Sequence, residues 1–148
     1  MPLITRIFLK SGIVFFIASL VTGVALQIDS IALPPLLPLF WHMLMLGWIT
    51  QIIMGVSMWM FPGRVREESF KNQRWAWIAY FSLNIGLWLR VLGEPAVNSS
   101  DALVWKVLLI TSALLQLIAV ISYALEIWPR VRGKKERVTK KNIQRSED

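Results

Sequence analysis

Three stretches of this 148-residue chain, residues 30–63, 75–89 and 107–125, contain no Asp, Glu, Lys or Arg. That absence constrains the fold more than any motif does. An apolar run of roughly 17–25 residues matches the hydrocarbon thickness of a bilayer when it is helical. Backbone amides in hydrocarbon find no water, so such a run must close its hydrogen bonds within itself. Charged residues are 17% of the chain, against about 25% in an ordinary soluble domain. The pattern predicts an all-α integral membrane protein, a four-helix bundle with spans over about residues 7–26, 39–61, 75–92 and 103–128. Residues 1–128 form one transmembrane domain, and residues 129–148 a basic tail, read as flexible. Pro34, Pro35 and Pro38 suit a connection or a helix start. Pro62-Gly63 and Gly93-Glu94-Pro95 read as span ends.

The net charge of +7 does not indicate nucleic-acid binding, because topology accounts for it. Fourteen of the sixteen Lys and Arg residues precede span one, lie between spans two and three, or follow span four. The excess of Lys and Arg marks the cytoplasmic side, so both termini are expected in the cytoplasm of a bacterial inner membrane. Arg90 and Lys106 fall on the other side. Seven of the eight tryptophans, all but Trp48, sit near span ends, where the amphipathic indole favours the interface. Arg6 and Lys10 ahead of an apolar run invite a signal-peptide reading. Val24-Ala25-Leu26-Gln27 is a poor cleavage site, so span one is read as retained. The tail from Arg130 to Arg145 reads as a solvated stop-transfer tail that fixes topology, the alternative being a segment that holds anionic lipid.

Against this background His42 stands out, because an ionisable group within a span marks a candidate functional site. The chain has one histidine and no cysteine, so His42 is its best haem or metal ligand and thiolate chemistry is excluded. On a regular helix His42 shares a face with Met45, Ile49, Ile53 and Met60. A His42–Met45 pair offers a soft copper(I) site, although methionine also serves as packing. Arg90 lies level with His42 if the spans align, and a guanidinium matches a haem propionate in bidentate fashion. It equally pairs with Glu94 one turn on. Gly47, Gln51 and Gly55 share a helix face suited to close packing or to a flat macrocycle. Asn84, Thr111, Ser112 and Gln116 are expected to bond between helices, and Glu126 with Arg130. No nucleophile–base pair, carboxylate pair or phosphate loop is visible, so the chain is not read as an enzyme by itself.

The segment from His42 through Gly47-Trp48 and Gly55 to Met60-Phe61-Pro62 resembles the second transmembrane helix of haem–copper oxidase subunit I, of the cytochrome oxidase and nitric oxide reductase type. It is also similar to a pattern in nitric-oxide-response haem and copper membrane proteins. The resemblance implies that His42 is an axial ligand of haem b on the outer half of helix two; Met45, from its spacing, and Arg90, from its level, are the candidate companions. It implies a role in electron transfer, haem handling or nitric oxide response. With one histidine the chain supplies half of a bis-histidine haem site and no binuclear centre. The other axial position is expected to be open, filled by a methionine, or supplied by a second copy or a partner membrane subunit. The competing expectation is a structural or accessory subunit of a larger respiratory membrane complex, without its own cofactor.

Overall fold

The computed structural model describes residues 1–28, 36–61, 73–97 and 103–147, with side chains as far as residue 131. Among the described residues every element is a helix: α1 (Leu3–Ala25), α2 (Leu36–Met60), α3 (Arg74–Val97) and α4 (Leu103–Glu147). All four contain a segment long and apolar enough to cross a membrane, that of α4 being Leu103–Val131. The expected runs are therefore helical, each extending a few residues past its apolar core, as amphipathic ends and helix-assignment limits allow. The connections carrying Pro34, Pro35, Pro62, Gly63 and the basic residues 64–71 lie outside the described residues. The helix α4 continues past Pro129 to Glu147, so the tail backbone is helical over that length.

Packing fixes an up-down-up-down order. A Cβ at Gly55 would lie 3.0 Å from Phe8 Cβ, and one at Gly47 would lie 2.7 Å from Phe15 Cβ, so α1 and α2 run antiparallel in close contact. The ring pairs Phe8–Tyr80 and Phe15–Trp88 run in step, so α1 and α3 are parallel. Ser112 Oγ donates to Gly86 O at 2.6 Å, and Leu108 and Leu109 crowd Gly93, which sets α3 against α4 antiparallel. The hydroxyls of Ser57 and Tyr123 meet at 2.7 Å, joining α2 to α4. The start of α1 and the end of the apolar part of α4 thus lie at one end of the bundle. At that end Arg130 pairs with Glu126 and donates to the carbonyls of Met58 and Phe61 at the end of α2.

The interior is apolar with a few paired polar groups. Ile4, Phe8, Met54, Leu83 and Leu87 are buried. Gln51, fully buried, donates from Nε2 to Asn84 Oδ1 at 3.1 Å, and Asn84 Nδ2 donates to Tyr80 O. The face with Gly47, Gln51 and Gly55 is therefore a packing face, taken by Phe15, Asn84 and Phe8. Outward positions are apolar, among them Ile13, Val21, Ile85, Ile110 and Leu117, the arrangement a hydrocarbon solvent requires.

Candidate functional site

At the end of the bundle away from the termini, α2 begins Leu36-Leu37-Pro38-Leu39, with Pro38 in its first turn, where a missing N–H is no loss. His42 follows one turn later, and its Nδ1 lies 2.8 Å from Pro38 O. Directly after His42, residues Met43–Thr50 form a π-helical segment before regular α-helix resumes at Gln51. Such wide turns are rare and frequently sit at functional sites. The Thr50 hydroxyl donates to Met45 O, five residues back, at 2.8 Å, taking up a carbonyl that the altered ladder loosens.

Glu94 supplies the other half. The apolar run of α3 ends near Leu92, yet the helix continues through Gly93 and Pro95 to Val97. Pro95 cannot donate to Val91 O and its ring crowds that carbonyl, so this turn is held by packing rather than by local preference. The extra turn carries Glu94 onto the α2-facing side. Its Oε1 accepts from Arg90 Nη1 at 2.8 Å and lies 3.2 Å from His42 Nδ1. Glu94 is 6% exposed, Arg90 18% and His42 28%. The carboxylate and guanidinium compensate each other, which is what makes a charge tolerable at such depth. Glu94 Oε2 and Arg90 Nε are buried without a partner among the described residues.

These contacts determine the imidazole tautomer. Both neighbours of Nδ1 are acceptors, a carbonyl and a carboxylate. Nδ1 therefore carries the proton, and in the neutral ring the Nε2 lone pair is left as a ligand. Metal-bound histidines are typically held in this way, with the far nitrogen donating to a carboxylate or carbonyl.

Of the residues singled out in the sequence, the structure brings His42 and Arg90 into one network, through Glu94. Met45 stands apart from it, exposed on the outer surface of α2 with Ile53 and Met60. No group of three or more His, Cys, Asp or Glu gathers among the described residues. Asn84 and Ser112 bond across helices as expected. The Thr111 hydroxyl instead bonds within its own helix, to Val107 O, and Gln116 Nε2 bonds within it to Ser112 Oγ. Glu94 is the residue that sequence reasoning placed only as Arg90's partner. One signal was present: His42 and Glu94 lie nearly equally far from the middle of the α2–α3 connection, as Gln51 and Asn84 do.

The chain matches no family model, no curated protein and no solved structure.

Proposed function

We propose that the chain is a multi-pass protein of the bacterial inner membrane, with both termini cytoplasmic, that holds haem b through His42. The observation that carries this reading is the pair of acceptors around Nδ1, Pro38 O at 2.8 Å and Glu94 Oε1 at 3.2 Å. They orient the ring, fix its tautomer and raise the basicity of Nε2, as a ligand to haem iron requires. Bound haem would supply a one-electron couple, suited to electron transfer or nitric oxide binding. His42 would hold the iron from this chain, and a further ligand would come from a second copy of the chain or a partner membrane subunit. Gly47 and Gly55 are filled by Phe15 and Phe8, so the macrocycle belongs on the outer side of α2, between subunits. Arg90 spends Nη1 on Glu94, so a propionate would be met by its remaining donors. The similarity of the His42–Pro62 segment to subunit I of haem–copper oxidases supports the same assignment.

The test is the absorption spectrum of the purified full-length chain from a haem-replete host, oxidised and reduced. A Soret band that disappears in His42→Ala is expected. Colourless wild-type protein refutes the proposal.

A second reading draws on the same contacts. The His42–Glu94–Arg90 network ties α2 to α3, and a structural or accessory subunit of a larger membrane complex needs nothing more from it. That reading predicts tolerance of His42→Ala and co-purification with a partner.

A further inference from the structure

A second polar feature lies between α1 and α3, toward the end of the bundle that carries the termini. It is a cleft of about 300 Å³ bounded by Lys10, Ser11, Val14, Phe15, Tyr80, Asn84 and Trp88. Its polar part is built from both helices, since the hydroxyls of Ser11 and Tyr80 meet at 2.8 Å. One hydroxyl donates to the other, which leaves a single O–H free to donate outward. Asn84 adds little, because its Oδ1 and Nδ2 are engaged with Gln51 and Tyr80 O. Beside the hydroxyl pair stands Lys10, exposed and followed by eighteen uncharged residues, 11–28. Beyond it the walls become apolar, with Val14 and Trp88 open to the outside and Phe15 buried beneath them.

A cation, one spare hydroxyl proton and an apolar trough running deeper along the helices define a ligand with an anionic, acceptor-rich head and a hydrocarbon tail. Lys10 lies seven residues into α1, about 10 Å along the helix at 1.5 Å per residue. A lysine at that depth reaches up toward the headgroup level while its stem stays in the apolar layer. In the orientation proposed above this end faces the cytoplasmic leaflet, where anionic lipid is concentrated.

We propose that the α1–α3 cleft is a binding site for an anionic phospholipid. Lys10 and the Ser11–Tyr80 hydroxyl pair hold the phosphate, and Val14, Phe15 and Trp88 seat an acyl chain. The inference rests on the membrane reading and is independent of haem.

Trp88 provides the readout. Full-length protein is reconstituted in phosphatidylcholine vesicles containing a minor fraction of bromoacyl phosphatidylglycerol, or an equal fraction of bromoacyl phosphatidylcholine. The Trp88 share of the fluorescence is the difference between wild type and Trp88→Phe. Bromine on phosphatidylglycerol is expected to quench that share more strongly than bromine on phosphatidylcholine. Lys10→Gln should weaken the preference about fivefold, from the ~1 kcal/mol that a basic residue contributes near an anionic surface. Tyr80→Phe, which keeps every charge, should weaken it as well. Arg6→Gln removes a charge at the same end but outside the cleft and should leave the preference in place. Equal quenching by the two lipids overturns the proposal. So does an Arg6→Gln effect as large as that of Lys10→Gln, since that outcome means general surface attraction, whereas equal quenching means that headgroup charge is not read at all. Addition of inorganic phosphate should leave the preference in place. If it abolishes the preference, the site binds free phosphate and the lipid assignment fails. Incorporation into the vesicles checks the membrane reading separately.

Discussion

Replacing Glu94 with Gln separates the energetic and chemical roles of the network. The carboxylate oxygen lies 2.8 Å from the Arg90 guanidinium, and the two residues are 6% and 18% exposed. At an effective dielectric constant of about 20, unit charges at that distance attract by about 6 kcal/mol, and desolvation consumes much of it. The pair as formed therefore contributes little over an apolar pair of similar volume. Removing one member is different, because Arg90 then stays charged and mostly buried without its partner. Breaking such a pair costs about 3–5 kcal/mol. Because the Gln amide oxygen still accepts a hydrogen bond, Glu94→Gln is expected at the low end, about 3 kcal/mol. The double variant Glu94→Gln/Arg90→Met removes both charges and should return to within about 1 kcal/mol of wild type. Reversible unfolding in mixed detergent micelles, followed by circular dichroism, measures both. A single-variant loss below about 1 kcal/mol, or a double variant that merely adds the two single losses, refutes the argument that a desolvated pair sits here. The same substitution also reports on haem, since loss of a group that orients a ligating histidine lowers affinity about 10- to 100-fold. Haem titration of Glu94→Gln therefore distinguishes the two readings of His42: a purely structural network loses stability with no affinity to lose.

Other expectations follow from the packing. Gly47→Ala places a methyl 2.7 Å from Phe15 Cβ, an atom too near the backbone to move aside, and should cost about 2 kcal/mol in the same unfolding assay; Gly55→Ala, with 3.0 Å to Phe8 Cβ, should cost less. Replacing Gln51 and Asn84 by Leu, singly and together, should reveal a coupling of about 0.6 kcal/mol, the usual strength of an interhelical bond in a membrane. Reporter fusions at the C-terminus should be active in a cytoplasm-dependent format and silent in a periplasm-dependent one, whereas an insertion between residues 98 and 102 should give the reverse. Fusions of equal activity at both places would undo the topology.

The helices were legible because hydrocarbon leaves few options: a charge-free run of this length closes as a helix. The packing role of Gly47, Gln51 and Gly55 was legible from their spacing, and the Glu126–Arg130 and Arg90–Glu94 pairs from theirs, one helical turn apart. The site was legible only in part. His42 and Arg90 could be named from rarity and level. Their link through Glu94 depends on α3 continuing past Gly93 and Pro95, both of which read locally as stops. Tertiary packing outweighs that local preference, since Gly93 is pressed against Leu108 and Leu109. The expected common face of His42 and Met45 assumed an unbroken 3.6-residue period, and the π-helical segment that begins at Met43 changes the phase within one turn.

That segment has a consequence for how α2 can be built at all. A straight helix presents a single azimuth to its neighbours, yet α2 must seat Gly47 and Gly55 against α1 and, near its start, aim an imidazole at α3. The wide turn acts as a phase adjuster between the two demands. Deleting one residue within Met43–Thr50 would let the ladder relax to ordinary α geometry and leave Gln51–Met60 where it packs. Because a wide turn holds about one residue more than an α turn, losing that residue offsets the ~100° that the relaxation adds, and His42 would stay near Glu94. Forcing ordinary α geometry on the full-length segment is the change that would swing His42 by about that angle and part it from Glu94, so the winding of this stretch is a functional coordinate in its own right.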